Sequence, residues 1–283
     1  MTRTTPLGMT LAVAIIAVAI AQTSMAQAPS SEIGVVIMHG KGGSPTRHVS
    51  NLASSLEQRG CLVANLEMPW SGNREYDVGV AVAEKEVSAA LDTLRNKGAK
   101  KLFVAGHSQG GLFALYLGGN HSVDGIIAIA PGGNVASPIY QEKLGPSVEL
   151  ARKLVAEGKD REKTRFSDYE GSRGTYTVVA SPAAYLTWFD PDGAMNQVKA
   201  AKTMNPQVPV LFIVPKKDYP GLLRVKQLMF DALPKNPLSR LYEPDSSHLD
   251  APSASREEIA RWTVEVAGRL NPALQGTPAS GRP

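Results

Sequence analysis

Short, continuous apolar runs alternate with helical segments along most of this chain. The clearest runs are IGVVIM, KLFVAG, DGIIAIAPGG and VPVLFIV, which begin at residues 33, 101, 124 and 208. Apolar runs of this length are typical of strands that are buried on both faces of a parallel sheet. Because strands that alternate with helices form right-handed βαβ units, the sequence predicts an α/β fold with a mostly parallel sheet.

The segments between these runs carry the marks of helices. Residues 44–60 have Pro45 in the first turn and Gly60 at the end, which are positions that proline and glycine favour. The same reasoning predicts further helices and two shorter strands. These helices are at about 77–97, 110–119, 221–233 and 253–270, and the strands are at 61–68 and 239–244.

The alternation breaks in residues 134–207. This segment holds a charged helix candidate at about 146–158 and the aromatic run SPAAYLTWFD at 181–190, but no repeating pattern of strand and helix. A stretch of that length without sheet pattern is usually functional or disordered. We therefore expect 134–207 to form a cap inserted between the two parts of one core, 29–133 and 208–272.

The two ends of the chain differ from the rest. At the start, a short region with one arginine precedes the apolar run MTLAVAIIAVAIAQ and the small residues of TSMAQA. This order is that of a secretory signal peptide, 1–28, with cleavage after Ala26 or Ala28. The run is shorter than the roughly 20 apolar residues that a bilayer span needs. We expect an exported, periplasmic or secreted protein with no stable membrane span, and a flexible tail at 273–283.

Charge and composition argue against several classes of protein. The formal net charge is +4 and no run of basic residues occurs, so nucleic-acid binding has little support. Cys61 is the single cysteine, so no intrachain disulfide can form. The chain has no HExxH motif, no paired cysteines or histidines and no dinucleotide fingerprint, so we expect neither a metal nor another cofactor.

The stretch VAGHSQGG, residues 104–111, places Ser108 between glycines where a predicted strand meets a predicted helix. It fits G-x-S-x-G, a motif whose meaning depends on this context. Small neighbours are needed where strand and helix approach closely, and the helix N-terminus adds partial positive charge where an oxyanion would form. The motif predicts that Ser108 is a nucleophile; a tight βα turn is the alternative.

With these features the chain resembles the α/β-hydrolase superfamily. The resemblance rests on the HG loop after the first strand, the GHSQG elbow, an aspartate at a strand end and a late histidine, in that order over about 33–270. It implies a three-layer α/β-hydrolase fold. Fuller versions of the fold begin with two antiparallel strands, for which residues 29–32 leave no room. We therefore expect a reduced sheet of about six strands with an inserted cap.

The resemblance also implies the partners of Ser108. Of the five histidines, His248 is in the loop between the last predicted strand and the final helix, where the family carries its base. Asp218 follows the strand of 208–214, the usual place of the acid that orients that base. Four further carboxylates compete for this role. They are Asp190, Asp192, Asp245 and Asp250.

An oxyanion hole is implied in MHGKGGSP, residues 38–45. By resemblance, the residue after HG and the residue after the nucleophile donate their backbone N–H groups, which makes Lys41 and Gln109 the donors. Gly42 is the alternative to Lys41 if the loop turns differently.

Together the nucleophile, base and acid specify acyl transfer through a covalent acyl-enzyme that water resolves. The expected substrate is a small or medium carboxylic ester, followed by lipid esters and thioesters. An acyltransferase, a peptidase, a perhydrolase and a non-catalytic binding protein remain open. Several ring-bearing residues either line a substrate pocket or pack the cap onto the body. The candidates are His39, Trp70, Tyr185, Trp188 and Phe189.

Overall fold

The structure, a computed structural model, describes residues 30–269. The predicted signal peptide, 1–28, and the predicted tail, 273–283, lie outside this range. The described chain begins with a single 3₁₀ turn, Ser30–Glu32, that leads directly into the first strand. Within residues 30–269, no helix is both long and apolar enough to span a lipid bilayer.

The main sheet in residues 30–269 has six strands, all parallel. They are β1 (Ile33–Met38), β2 (Leu62–Leu66), β3 (Lys101–His107), β4 (Gly125–Ile129), β7 (Val210–Ile213) and β8 (Arg240–Tyr242). Their order across the sheet is β2-β1-β3-β4-β7-β8. Every residue of β1, β4 and β7 is buried, which explains why these strands read as unbroken apolar runs. The predicted parallel α/β fold with a reduced sheet is confirmed.

Helices cover both faces of this sheet. Successive side chains of β1 point to opposite faces: Val36 and Met38 join one hydrophobic cluster, and Val35 and Ile37 join another. The first cluster includes α2 (Val80–Asn96), α3 (Gln109–Asn120) and Met229 of α7 (Pro220–Asp231). The second includes α1 (Ser50–Gln58) and α9 (Arg256–Arg269), beside the short α8 (Ala251–Ala254). The body is therefore a three-layer sandwich.

Two predicted helices of the body differ from the observed ones. The helix predicted at 44–60 begins only at Ser50, because the residues before it form turns that continue the loop after β1. Pro45 therefore lies in that loop and not in a first helical turn. The helix predicted at 253–270 is divided into α8 and α9 at Ser255.

Residues 134–207 fold between β4 and β7 as a mixed unit. It contains α4 (Pro138–Ala156), β5 (Thr164–Glu170), β6 (Gly174–Ala180), α5 (Pro182–Phe189) and α6 (Gln197–Lys202). We call this unit the cap. The expectation that it lacks sheet pattern was wrong, because β5 and β6 pair as an antiparallel hairpin. The buried positions of β5 are Phe166 and Asp168, and a carboxylate at an inward position hides the apolar alternation that would have revealed the strand.

The aromatic residues predicted as pocket lining pack the cap onto the body instead. Trp188 of α5 stands edge-on to Trp70 of the body, with ring centroids 5.4 Å apart, and lies 5.3 Å from Phe113. Tyr185 and Phe189 stack on one another at 4.3 Å. The four predicted residues are 0–3% exposed. Burial of large aromatic surface stabilises the join between cap and body, so this pocket prediction is corrected for Trp70, Tyr185, Trp188 and Phe189.

Candidate active site

Ser108 occupies a sharp turn between β3 and α3. Its φ is 54° and its ψ is −117°, a conformation that costs a non-glycine residue on the order of 1–3 kcal/mol. The chain holds the turn with backbone hydrogen bonds: Ser108 N–H donates to Ile129 O (2.8 Å), and Gly132 N–H donates to Ser108 O (3.0 Å). The elbow is thereby tied to the end of the neighbouring strand, β4.

The glycines on either side of Ser108 are required by close packing. A Cβ on Gly106 would lie 2.0 Å from the carbonyl oxygen of Gly110, and one on Gly110 would lie 2.6 Å from the carbonyl oxygen of His39. Side chains at these positions would separate the strand, the helix and the loop after β1. The spacing G-x-S-x-G is therefore a steric consequence of starting a helix directly after the serine.

His248 and Asp218 meet at the carboxyl ends of the adjacent strands β7 and β8. His248 Nδ1 lies 2.7 Å from Asp218 Oδ1, and both residues are 6% exposed. Tyr219 supports the pair twice, because its N–H donates to Asp218 Oδ1 (2.6 Å) and its ring lies 4.5 Å from the imidazole. A parallel bridge between Lys217 and Ser247 joins the two loops.

The competing carboxylates are engaged elsewhere or exposed. Asp245 pairs with Lys217 at 2.8 Å on the surface. Asp250 accepts a hydrogen bond from Ser247 Oγ (2.6 Å), and Asp190 of the cap pairs with an arginine at 3.1 Å. Asp192 is exposed in the cap. Asp218 is therefore the carboxylate that contacts His248.

A cleft of about 960 Å³ brings Ser108 and His248 together. Both residues line this cleft, although the described residues include no hydrogen bond between Ser108 Oγ and the imidazole. Ser108 Oγ faces Gly132, where a Cβ would stand 3.5 Å from it. Contacts of this kind are often long in the absence of substrate and shorten when one binds.

His107 is hydrogen-bonded to the backbone of His248. Its Nε2–H donates to the carbonyl oxygen of His248 at 2.9 Å, and the two rings are 5.0 Å apart. Burial, and then the proximity of His248, lowers the pKa of His107 to about 3. The ring therefore stays neutral at ordinary pH and acts as a fixed donor that orients the loop of His248.

His39 organises the loop that follows β1. Its Nδ1–H donates to Gly40 O (2.7 Å), and its Nε2 accepts from Met68 N–H (3.0 Å). Burial lowers the pKa of His39, which favours the neutral ring that this pair of bonds requires. His39 borders the cleft, and both of its ring nitrogens are engaged in shaping the loop.

Among the described residues, the backbone N–H groups of Lys41 and Gln109 donate to no backbone acceptor, and the next two N–H groups of α3, those of Gly110 and Gly111, share this property. Gln109 opens α3, where the first N–H groups of a helix lack internal acceptors. The alternative donor, Gly42, is already engaged, since its N–H donates to Trp70 O at 2.8 Å. The side chain of Lys41 extends into the cap, where it contacts Asp168.

The residues that line the cleft are mostly ones that sequence reasoning missed. Tyr140 and Tyr169 come from the cap, and Tyr219, Leu222 and Val225 come from the start of α7. The run DYPGLL begins at Asp218, shortly after the end of β7. It could have indicated that Tyr219 and Leu222 lie near the site. Tyr140 was missed because α4 begins eight residues earlier than the predicted helix at about 146–158.

The sequence of this chain matches that of a known protein family. The model of the alpha/beta hydrolase family matches residues 35–267. The chain belongs to the alpha/beta hydrolase family. No curated protein sequence matches it.

Several solved structures share the fold of this chain. A monoacylglycerol lipase from Paleococcus ferrophilus is 20% identical, covers 82% of this chain and 94% of its own, and has a TM-score of 0.58. Est1E from Butyrivibrio proteoclasticus with bound ferulic acid is 16% identical, covers 83% and 89%, and has a TM-score of 0.56. GrgF from Penicillium sp. sh18 is 16% identical, covers 85% and 91%, and has a TM-score of 0.63. At these identities the likeness concerns the fold alone.

Replacing Gly106 by alanine tests the steric account of the elbow. We expect Gly106→Ala to lower the free energy of unfolding by about 3 kcal/mol or more, because the new methyl group overlaps the backbone of Gly110. Gly268→Ala in α9 is the matched control, since its Cβ meets open space, and it should change stability by less than about 1 kcal/mol. Urea unfolding measures both. Equal midpoints for the two variants would contradict the account.

The buried His107 predicts a loss of stability in acid. The unfolded chain protonates this histidine near pH 6.5, whereas the folded protein does so only near pH 3. Its contribution to stability is therefore complete above pH 6.5 and declines as the pH falls towards 3, by up to about 1.4 kcal/mol per pH unit.

His107→Gln keeps a donor for the carbonyl of His248 but cannot titrate. Between pH 7 and pH 4, we expect the variant to lose on the order of 3 kcal/mol less stability than the parent protein in urea unfolding. The stability of the variant should still fall with pH, in part because burial also lowers the pKa of His39. Parallel pH curves for the two proteins would refute the prediction.

Proposed function

We propose that this protein is a serine hydrolase that cleaves carboxylic esters through a covalent acyl-enzyme. One observation carries the proposal. Ser108 stands on a strained elbow in the same cleft as His248, and the imidazole of His248 is hydrogen-bonded to the buried Asp218. A nucleophile, a base and an orienting acid in this relation form the constellation of acyl-transfer enzymes.

In the proposed reaction, His248 Nε2 takes the proton of Ser108 Oγ as that oxygen attacks the ester carbonyl. Nδ1–H of the same ring donates to Asp218 Oδ1, which fixes the tautomer and stabilises the imidazolium that forms. The neutral His107 holds the backbone of His248 in place and does not compete for the proton. The proton then passes from His248 to the departing alcohol, and the acyl group remains on Ser108.

The negative charge of the tetrahedral intermediate requires donors. The free N–H groups of Lys41 and Gln109 supply them in this proposal, and the N-terminus of α3 adds its partial positive charge. A preorganised donor of this kind is worth about 10²–10³ in kcat. Water, deprotonated by His248, then attacks the acyl-enzyme and releases the acid.

The form of the cleft supports a small or medium ester. A volume of about 960 Å³ admits a drug-sized molecule, and tyrosine, leucine and valine side chains offer apolar contact to an acyl or aryl group. Among the similar structures, one is a monoacylglycerol lipase and another holds ferulic acid. A chain-length series of p-nitrophenyl esters distinguishes an esterase from a lipase.

The nucleophile is tested with Ser108→Ala. We expect kcat for p-nitrophenyl acetate or butyrate to fall by about 10⁶-fold, and covalent labelling by a fluorophosphonate probe to disappear. Ser88→Ala is the control, because Ser88 lies on α2, where its hydroxyl bonds His121 away from the cleft, and this variant should label like the parent protein. Retained labelling in Ser108→Ala, or no labelling of the parent protein, would remove the basis of the proposal.

The acid is tested by comparing two aspartates of adjoining loops. Asp218→Asn should lower kcat by about 10⁴-fold, because an amide at this position favours the wrong tautomer of His248. Asp245→Asn removes only an exposed ion pair with Lys217 and should leave kcat within about twofold. Steady-state ester hydrolysis measures both. The assignment fails if Asp245→Asn is the damaging change and Asp218→Asn is silent.

A further inference from the structure

A buried carboxylate of the cap contacts the loop that carries one of the proposed oxyanion donors. Asp168 of β5 is fully buried, and its Oδ1 lies 2.5 Å from Nζ of Lys41, whose side chain is 7% exposed. The ammonium group also donates to Tyr169 O at 3.1 Å. The two charged residues are 127 positions apart in the chain, so this ion pair directly joins the cap to the loop after β1.

The carboxylate of Asp168 accepts hydrogen bonds from four donors. Among the described residues, Oδ1 accepts from Lys41 and from the N–H of Tyr169 (2.6 Å), and Oδ2 accepts from the hydroxyls of Tyr76 (2.9 Å) and Tyr176 (2.8 Å). A carboxylate offers about four acceptor positions, so this buried charge is completely satisfied. A network with every member bonded is rigid, because any displacement breaks a hydrogen bond away from water.

Tyr76 lies between the same carboxylate and Gln109, the second proposed donor. The hydroxyl of Tyr76, a residue of the body, bonds Asp168 Oδ2 and lies 3.3 Å from the side-chain oxygen of Gln109. Lys41 and Gln109 are the two proposed oxyanion donors, and their backbone N–H groups donate to no backbone acceptor among the described residues. Lys41 therefore contacts this carboxylate directly, and Gln109 is related to it only through the hydroxyl of Tyr76.

The network requires a charged Lys41 and a neutral Tyr76, and the direction of each pKa shift favours these states. Burial by itself lowers the pKa of Lys41, but the attraction of Asp168 and smaller contributions from its neighbours outweigh burial, and the net pKa lies above its usual value. Burial, reinforced by Asp168, raises the pKa of Tyr76 well above its usual value, so the hydroxyl stays a neutral donor. The ammonium group also lies 5.3 Å and 5.6 Å from the rings of Tyr140 and Phe189.

Stability alone does not account for such a pair. Apolar residues of similar volume often replace a buried ion pair without loss of stability, and aromatic packing already joins the cap to the body around Trp188. A hydrogen-bonded ion pair constrains geometry, because it holds the two charged groups at a defined distance and angle. We propose that Asp168 is a positioning residue that fixes the oxyanion-hole backbone of Lys41 and Gln109, so that seating of the cap completes the hole.

This inference rests on the proposed function and is tested by a double-mutant cycle on the ion pair. Asp168→Asn and Lys41→Met each leave one charge buried and unpaired, so each should lower stability in urea. Each should also lower kcat for a p-nitrophenyl ester by about 10- to 100-fold, with KM within about threefold, because displaced donors weaken binding of the transition state and not of the ester.

The double variant separates positioning from stability. Lys41→Met with Asp168→Asn has no unpaired charge, so it should recover much of the lost stability. Its kcat should stay as low as that of the single variants, because neither side chain then directs the loop. Recovery of kcat together with stability, or a change in KM without a change in kcat, would overturn the inference.

Two tyrosines that bond the same oxygen of Asp168 provide a matched control. Tyr76→Phe removes the hydroxyl that leads to Gln109 and should lower kcat about tenfold. Tyr176→Phe removes a hydroxyl within the cap hairpin that bonds Asp168 but contacts neither donor residue, so it should lower kcat clearly less than Tyr76→Phe does. Equal effects of the two substitutions on kcat would contradict a path through Gln109.

The proposed function and this inference fail in different ways. If the parent protein hydrolyses esters and Asp168→Asn retains its kcat within about twofold, the inference is overturned and the proposed function stands. If the parent protein neither hydrolyses esters nor labels with a fluorophosphonate, both are overturned, because the cap would then have no oxyanion hole to complete.

Discussion

The contact between β3 and α3 at Ser108 is the constraint on which the rest of the site depends. Gly106 and Gly110 approach so closely that a single methyl group on the first would overlap the backbone of the second. With no room for a longer connection, Ser108 takes a positive φ, and the helix begins at the next residue. This leaves the N–H of Gln109 free and exposes the serine to the cleft, which a relaxed βα turn would not do. The strain is balanced by backbone bonds to Ile129 and Gly132, which belong to the neighbouring strand and its loop.

A parallel sheet collects the remaining groups at one edge. Because β1 lies beside β3, the loop after β1 passes directly over the elbow, and because β7 lies beside β8, Asp218 and His248 meet although 30 residues separate them. The central strands carry almost no polar side chains, so polar groups occur where the strands end. Two buried histidines then set the loops in place: His39 shapes the loop after β1, and His107 holds the backbone of His248. Their burial keeps both rings neutral, so they act through fixed hydrogen bonds and carry no charge that would oppose an imidazolium at His248.

The cap meets the body through two kinds of contact with different physical character. Aromatic packing around Trp188, Trp70 and Phe113 buries a large apolar area. The network of Asp168, Lys41 and Tyr76 supplies little area but fixes distances, because each buried polar group has its bonds satisfied in one arrangement. The first contact holds the cap to the body, and the second relates it to the atoms beside Ser108. The segment with the least recognisable sequence pattern therefore contributes the ion pair that contacts the loop beside Ser108.

The sequence by itself determined the layered fold and the elbow, because both follow from local rules. Unbroken apolar runs such as IGVVIM require burial on both faces, and G-x-S-x-G at a strand–helix junction has one steric explanation. Sequence order, together with resemblance, also singled out Asp218 and His248, which the sheet brings into contact. Only the tertiary structure decided what depends on contacts between distant segments. It buries Trp70, Tyr185, Trp188 and Phe189 in the core. It also brings tyrosines of α4, the cap hairpin and the α7 loop to the cleft, and it pairs Asp168 with Lys41. An aspartate within a strand looks like a solvated charge in sequence, since its partner lies 127 residues away and no local pattern records it.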